Sequence, residues 1–321
     1  MNKIIQLFIL IALLLISGFV YYFLTKDSSQ NTIGNSLPVN FKLGIVNNCR
    51  QIPAFIKALK MQQPAIDSKQ QGHNGGLLIR DITNLNHVWQ HQSWSQSGYI
   101  GAFDRDNKGN IYVAPSPYLS LQVNPPHLQN QLYLIDNNTA QMSLLMKLPS
   151  TKTPNNKNPF GAMGLFYDCD TNSLYVSSLA GSLPTQENGV IYQIDLASHK
   201  VISKLEHTDV IGIGVFNTMK GKRLFFGSAR KPHIYSIPLD EKGRFIGTKR
   251  YEISLSEIKG GDTTVAKKIL FKKVANKYQM IIKETEFGFR LMAESNPNRK
   301  KYHFQYSISK DKWIFKQISQ D

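Results

Sequence analysis

The sequence is poor in cysteine, in acidic residues and in the short motifs that mark common enzyme classes. Its 321 residues include two cysteines, and neither lies in a C-x-x-C or zinc-finger spacing, which argues against a redox dithiol or a structural zinc site. It contains no Walker loop, no G-x-G-x-x-G and no G-x-S-x-G elbow, so no motif predicts nucleotide binding or a serine hydrolase of that type. Long helical periodicity is also missing, which disfavours a helix-rich fold.

The shortage of acids leaves a basic chain, with 38 Lys and Arg against 22 Asp and Glu and a net charge of +16. The segment 266–318 alone carries 13 Lys or Arg against four acids. Such a segment is typical either of a surface that binds anions or of an ordinary solvated face. Because no zinc finger, RNP motif or helix-turn-helix accompanies it, nucleic acid is not the expected partner.

An apolar run from Ile4 to Leu24 follows the first three residues. At about 1.5 Å per residue, it is long enough to cross the roughly 30 Å hydrocarbon core of a bilayer. A cleaved signal peptide would have a shorter run and a small-x-small site, and the best such site, near Ser17, is poor. We therefore predict a signal anchor over residues 1–25, a polar linker over 26–37 and a folded domain over 38–318. The short N-terminal tail favours an N-inside topology, with the domain periplasmic or extracellular.

The compartment decides whether the two cysteines, Cys49 and Cys169, can form a disulfide. They are 120 positions apart. Outside the cytosol a disulfide between them is possible, and it would tie the leader, the segment between the linker and the first repeat, to the main domain. Two buried free thiols are the alternative, and the sequence alone leaves both open.

Beyond the leader, short runs rich in Val, Ile, Tyr and Phe alternate with Gly, Asn, Asp and Pro clusters, a pattern typical of strands and turns. Four runs recur as a unit. The second run of successive units centres on Tyr112, Tyr175, Phe225 and Met280, which are 63, 50 and 55 residues apart. A period near 50 with four strands per unit predicts an all-β fold, a β-propeller of five or six blades. A partial unit over 75–89 would close the ring by borrowing strands from the leader or from the other end of the chain.

The clearest unit contains the sequence DRDNKGNIYV over 104–113, followed by LYLID over 132–136. These segments resemble the NHL and regucalcin/gluconolactonase-like propellers, which use a D-x-x-G-N-I/L-Y-V hairpin inside each blade and then a strand that ends in I-D. The resemblance covers roughly residues 98–253 and implies a propeller of that superfamily.

The first part of that hairpin also fits the start of a calcium-binding loop, D-x-D-x-x-G, at Asp104, Asp106 and Gly109. A complete loop needs a glutamate at its twelfth position, where this chain has Pro115. Since the stretch lies between two predicted strands, a hairpin turn with Gly109 in a left-handed conformation explains it better.

The family resemblance implies a different metal site. Gluconolactonase-like enzymes hold one divalent cation, usually calcium, in the central channel, using a glutamate of the first blade and Asn and Asp side chains of later top-face loops. No glutamate precedes Glu187 in this chain, so the first-blade ligand is missing. Candidates remain before the inner strands, where Asn and Asp also commonly cap turns. They are Asn158, Asp209 and Asp262.

Two long loops between strands are candidate ligand-binding segments, because long ordered loops tend to be functional. The first, over residues 115–131, carries Tyr118 and His127, and the equivalent loop of the next unit carries Glu187. Phe160 precedes an inner strand and is the fourth candidate ligand contact. Packing of these loops over a blade edge is the alternative interpretation.

These features predict three functions of different classes. The first is a membrane-anchored, exported binding or scaffold domain for a protein, a glycan or a small ligand, because no complete catalytic set is present. The alternative is a divalent-metal-dependent lactonase or hydrolase of gluconolactonase-like type, with Asn158 and Asp209 as ligands and Ca²⁺ as the expected ion. The third is a lipid or polyanion binder that uses the basic last repeat.

Overall fold

Nearly all of the described chain is antiparallel β-structure. A computed structural model describes residues 42–68, 76–117, 121–122, 124–150, 152–289 and 299–320. The predicted anchor over 1–25 and the predicted linker over 26–37 lie outside these ranges. Within them, no helix is both long and apolar enough to cross a bilayer.

The described strands form five sheets, which are the blades of a β-propeller. A two-residue strand, β1 (Gly44–Ile45), and a one-turn helix, α1 (Ala54–Lys57), precede them. Blade 1 has three strands: β2 (Pro64–Asp67), β3 (Leu78–Asp81) and β4 (Asn84–Trp89). Blade 2 has four: β5 (Ile100–Arg105), β6 (Ile111–Pro115), β7 (Gln131–Ile135) and β8 (Met142–Lys147). Blade 3 has four: β9 (Ala162–Asp168), β10 (Ser173–Ser178), β11 (Val190–Asp195) and β12 (Lys200–Leu205).

The last two blades are built in the same way. Blade 4 contains β13 (Val210–Thr218), β14 (Gly221–Ser228), β15 (His233–Pro238) and β16 (Arg250–Ser254). Blade 5 contains β17 (Val265–Val274), β18 (Lys277–Thr285), β19 (Lys300–Ser307) and β20 (Lys312–Gln320). Short 3-10 helices lie at Gln92–Ser97, Pro126–Leu128 and Leu255–Glu257. The predicted all-β propeller is therefore confirmed, and its blade number is five.

Consecutive blades are held together by apolar cores, because each strand turns alternate side chains to the two faces of its sheet. Trp94 is fully buried between blades 1 and 2. Phe216 of blade 4 contacts Phe271 and Trp313 of blade 5, with ring centres 5.2 and 5.0 Å apart. Aromatic pairs of this kind contribute about 0.5–1.5 kcal/mol each beyond the area that they bury.

The hairpin of blade 2 shows how the repeated turn is built. The Asp106 carboxylate accepts hydrogen bonds from the backbone N–H groups of Lys108 and Asn110, at 2.8 and 2.9 Å, and from the Tyr112 hydroxyl at 3.0 Å. Gly109 has a φ of +89°, which only glycine adopts without strain. The D-x-D-x-x-G stretch is thus a tight turn whose aspartate binds its own backbone.

The leader crosses one end of the propeller and links its blades. β1 pairs with β13 of blade 4, with Gly44 opposite Asn217. Cys49 forms a disulfide with Cys169 at the end of β9 in blade 3. Farther along, the N–H of Phe55 in α1 donates to the backbone carbonyl of Asn137 in blade 2, at 3.0 Å. The leader strand therefore extends blade 4, whereas the sequence had offered it as one of two possible partners of the partial first unit.

Two buried ion pairs lie at the same end. Arg50 of the leader pairs with Asp104 of blade 2. Lys222 of blade 4, with a side chain that is 0% exposed, donates to both carboxylate oxygens of Asp168 at 2.6 and 2.8 Å. Burial raises the pKa of Asp168, and the charge of Lys222 opposes that rise. Because each charge is removed from water, loss of either partner would leave an uncompensated buried ion.

Candidate functional site

The loops that enter each inner strand, and those that join the second and third strands of each blade, lie at the end opposite the leader. We call that end the top face and the leader end the bottom face. The top face holds most of the predicted site residues: His127, Asn158, Phe160, Glu187, Asp209 and Asp262. Tyr118 lies outside the described residues.

Asn158 is buried beneath the top loops of blade 3, with 2% of its surface exposed. Its amide group donates to the carbonyls of Leu179 and Ser182, at 2.8 and 2.7 Å. Its side-chain oxygen accepts from the N–H of Phe160 at 3.1 Å. Both ends of the carboxamide are therefore used to fasten one loop of this blade to another.

Asp209 is equally buried, at 1% exposure. One carboxylate oxygen accepts from the N–H of Gly189 at 2.7 Å and from the Ser182 hydroxyl. The other accepts from Nε of Arg230 at 2.6 Å. Burial raises the pKa of Asp209, while the Ser182 hydrogen bond and the charge of Arg230 oppose the rise. The Glu187 carboxylate accepts from the backbone N–H of Asp209 at 2.9 Å, so Asn158, Glu187 and Asp209 converge on the loop 179–189.

Arg230 is the centre of this arrangement. Besides its bond to Asp209, the guanidinium donates to three backbone carbonyls of the loop 183–186, those of Leu183, Pro184 and Gln186, at 2.6, 2.7 and 2.6 Å. It also lies over the Phe289 ring, 4.8 Å from the ring centre. One carboxylate, three carbonyls and an aromatic face thus surround a fixed positive charge.

An aromatic cluster adjoins this arginine. The rings of Phe160 and Phe287 have centres 4.9 Å apart, as do those of Phe287 and Phe289. Leu179 of blade 3 and Val265 of blade 5 complete the same apolar group. Phe289 has a φ of +58°, a strained conformation for a bulky residue. Its ring packs against the cluster and against Arg230, between the top loops of blades 3, 4 and 5.

A cavity of about 370 Å³ opens beside Arg230, between the top loops of blades 4 and 5. Its floor includes Glu284, which is 4% exposed and accepts hydrogen bonds from the hydroxyls of Thr264 and Tyr302, at 2.7 and 2.8 Å. Its other walls are charged, hydroxyl-bearing or apolar, with Asp262, Thr285, Glu286, Phe287 and Arg299 among them. The size lies at the lower end of the range for small-molecule sites, about 300–1,000 Å³.

Asp262 is at the rim of this cavity and is largely exposed. Its carboxylate accepts from the N–H of Thr263 at 2.9 Å and lies 3.3 Å from Nζ of Lys300. The Thr263 hydrogen bond and Lys300 lower the pKa of Asp262. His127 is exposed in a shallow groove with residues 154–157, whose lining includes neither Arg230 nor Asp209.

The predicted ligands do not fit a divalent cation as they are arranged. The Asn158 oxygen is taken by a backbone N–H, and each Asp209 oxygen already accepts from a protein donor. A cation beside Asp209 would also meet the like charge of Arg230. Across the described ranges, no group of three or more His, Cys, Asp or Glu side chains is placed to hold a metal.

Asn158 and Asp209 lie in top-face loops, as their positions before inner strands predict, but the sequence did not point to Arg230, Phe287 or Phe289. An arginine has no oxygen with which to bind a cation, so no metal-ligand pattern includes it. Its position in the repeat could have identified it, because Arg230 lies in the loop that joins the second and third strands of its blade, as Glu187 does in blade 3.

No protein-family model and no curated protein matches this sequence. Similar solved structures include a GH43_12 protein retrieved from capybara gut metagenome, with 12% identity and a TM-score of 0.42 over 68% of this chain and 40% of that one. Regucalcin from Agrobacterium tumefaciens, described as a calcium-binding protein, aligns at 12% identity and a TM-score of 0.39, over 82% and 85% of the two chains. The Dos1 propeller aligns at 12% identity and a TM-score of 0.39, over 76% of this chain and 55% of that one.

The chain spans well under half the length of the first of these proteins and just over half of the Dos1 chain. At such low identity the likenesses concern the fold alone. The β-propeller itself is shown by the five sheets of this chain, and the regucalcin-like motifs of its hairpins remain a resemblance.

Proposed function

We propose that this chain is a membrane-anchored, exported β-propeller whose top face acts as a binding or scaffold domain and not as a metal-dependent hydrolase. The observation that carries the proposal is the engagement of Arg230 with Asp209. It places a fixed guanidinium, with its carbonyl and aromatic partners, where the lactonase hypothesis needs a metal-bound oxygen cluster. Both Asp209 oxygens already accept from protein donors in this arrangement, which suits a scaffold better than a Lewis-acid centre.

Export is supported by two independent features. The apolar run over residues 4–24 has the length of a signal anchor, and the Cys49–Cys169 disulfide belongs to an oxidising compartment. The test is a pair of C-terminal reporter fusions to the full chain. Alkaline phosphatase activity without fluorescence from a cytosolic reporter is expected, and the opposite pattern would overturn the proposed topology.

The cavity between blades 4 and 5 is the proposed binding site. Glu286 and Asp262 offer carboxylate acceptors, Thr285 offers a hydroxyl, and Phe287 offers a ring. Hydrogen-bonding groups beside one apolar surface suit a small hydroxylated ligand such as a saccharide. No covalent step is required of any of these residues.

In the test, the full chain is purified in detergent and its melting temperature is measured with a series of monosaccharides and sugar lactones. Saccharides that bind should raise the melting temperature without any turnover of lactones. Thr285→Trp, which fills the cavity, should abolish the shift, whereas Thr248→Trp on an exposed turn should preserve it. Lactone hydrolysis that stops with EDTA and returns with Ca²⁺ would refute the proposal in favour of the metal-dependent enzyme.

A further inference from the structure

Six exposed lysines gather on the bottom face of blades 4 and 5. They lie in or beside three turns, the first between β13 and β14, the second between β17 and β18 and the third between β19 and β20. The six are Lys220, Lys272, Lys273, Lys277, Lys310 and Lys312, and we call them the basic patch. The acid of these turns, Asp311, is buried and accepts a hydrogen bond from the Tyr306 hydroxyl, so it offers the patch little compensating charge at the surface.

The turns that carry the patch are fastened to one another. The hydroxyl of Tyr306 in blade 5 accepts from the N–H of Met219 in blade 4 at 2.8 Å. The Tyr278 hydroxyl donates to the Leu43 carbonyl of the leader at 3.0 Å, and Nζ of Lys273 lies 5.7 Å from the centre of the Tyr278 ring. The lysines therefore project from a single ordered surface that includes the leader.

Exposed lysines are concentrated at this corner. The equivalent bottom turns of blades 2 and 3 carry two exposed lysines, Lys108 and Lys200, and the partly exposed Asp136 and Asp195. A chain that simply favoured lysine as a solvated residue would distribute it evenly over the turns of all these blades. The asymmetry gives one corner of the bottom face an electrostatic potential that attracts anions.

The leader enters the propeller at the same corner. The carbonyl of Lys42, the first described residue, accepts from the Asn217 amide of blade 4 at 3.0 Å, and the next carbonyl is held by Tyr278. In sequence, 17 residues separate Lys42 from Leu24, the end of the apolar run. Such a connection reaches about 60 Å when fully extended and roughly 20–25 Å as a flexible coil.

From these observations we propose that the basic patch binds the anionic phospholipid headgroups of the membrane that holds the N-terminal run. The inference rests on the proposed anchor for the identity of that membrane. A short tether keeps the bottom corner near the bilayer, and the patch supplies complementary charge there. Docking of the corner turns the top face, with its cavity, away from the lipid.

The expected strength follows from the number of charges. Each lysine near an anionic membrane surface strengthens binding roughly fivefold, which corresponds to about 1 kcal/mol. Removing three of the six should therefore weaken binding on the order of a hundredfold. The attraction should also fall steeply with salt, since the Debye length is about 10 Å at 0.1 M.

The test uses residues 37–321, without the apolar run. The members of all five apolar clusters, both cysteines and every buried ion pair named above lie within residues 42–320. Since residues 37–321 also form one compact unit, we expect this part to fold on its own. Sedimentation is measured with vesicles of phosphatidylcholine alone and of phosphatidylcholine mixed with phosphatidylglycerol. Salt-sensitive binding to the mixed vesicles alone is expected.

Two triple variants decide whether the patch is responsible. Lys273→Gln, Lys277→Gln and Lys312→Gln together should reduce vesicle binding about a hundredfold. The control removes the same charge from exposed lysines of the top face, Lys152, Lys157 and Lys231, and should leave binding within a few-fold of the wild type. Equal losses in both variants, or no binding to the mixed vesicles, would overturn the inference.

A soluble polyanion separates lipid from polymer as the partner. If heparin binds the protein as tightly as the vesicles do and displaces them completely, the surface recognises polymer charge and the lipid proposal is wrong. Carbonate extraction of the full chain tests the anchor separately. Release by carbonate would refute the proposed anchor, whereas the vesicle result would still decide the lipid specificity of the patch.

Discussion

Replacement of Arg230 by methionine removes the charge on which the top face is organised. Methionine keeps much of the aliphatic volume against Phe289 but leaves the Asp209 carboxylate, 1% exposed, without its cation. It also leaves three carbonyls of the loop 183–186 without their shared donor. The Ser182 and Gly189 hydrogen bonds to Asp209 remain, so the loss is confined to one side of the carboxylate.

The magnitude follows from the burial of the pair. Breaking a buried ion pair by removing one partner costs about 3–5 kcal/mol. The Arg230 side chain retains 20% exposure, which places the expected loss near the lower end, at about 3 kcal/mol. The matched control is Arg244→Met, because Arg244 pairs with Asp240 at 2.7 Å but is 52% exposed. An exposed pair contributes only about 0–1 kcal/mol.

The loss should depend on pH in a defined direction. Burial raises the pKa of Asp209 above its value in the unfolded chain, and removal of Arg230 takes away a charge that restrains the rise. A carboxyl with a raised folded-state pKa stabilises the fold fully below the unfolded pKa, near 3.9, and loses that contribution as pH rises through the folded pKa. The deficit of Arg230→Met should therefore shrink as the solution is acidified from neutral pH.

The assay is urea unfolding of residues 37–321, followed by the fluorescence of buried Trp94 and Trp313. At neutral pH, Asp209→Asn in the Arg230→Met background should recover part of the lost free energy of unfolding, because it removes the unpaired charge. A deficit equal to that of Arg244→Met, or one that is independent of pH and unrelieved by Asp209→Asn, would refute the assigned role of the pair.

Two further perturbations test the bottom face. Changing Cys49 and Cys169 to serine removes a disulfide between residues 120 positions apart. The change should lower the free energy of unfolding by up to about 4–5 kcal/mol, because the disulfide restricts the entropy of the unfolded chain. Identical denaturation midpoints for the oxidised and reduced wild type would show that the disulfide is not formed. Lys222→Met should cost about 3–5 kcal/mol, because the Asp168 carboxylate is fully buried. Addition of Asp168→Asn should restore part of that loss in thermal unfolding, and a further loss would argue against the ion pair.

The repeated part of the fold was predictable because its signals are local. The Asp106–Gly109 turn and the runs around Tyr112, Tyr175 and Phe225 fixed strand positions in blades 2–4, and each lies in a strand or turn as predicted. The strands of blade 1 and the pairing of the leader could not be predicted in the same way. β2 is only four residues long, and the pairing of Gly44 with Asn217 joins positions far apart in sequence, which no periodic pattern reveals.

The sequence predicted which loops carry the candidate site residues but not which side chains they contact. Loops that precede inner strands must meet at one end of a propeller, and Asn158 and Asp209 both lie in such loops. Their partners depend on how side chains from different blades converge. Arg230 reaches Asp209 from a loop 21 residues farther along the chain, and Phe289 reaches Arg230 from blade 5. Sequence spacing carries no information about such contacts.

Calcium binding by the purified full-length chain tests most directly whether Arg230 holds the position that a metal would need. Isothermal titration calorimetry with Ca²⁺ should give no saturable heat, and the melting temperature should be the same in Ca²⁺ and in EDTA. Saturable binding of one ion per chain, weakened by Asp209→Asn and accompanied by thermal stabilisation, would contradict the proposed role of the guanidinium and restore the metal-dependent hypothesis.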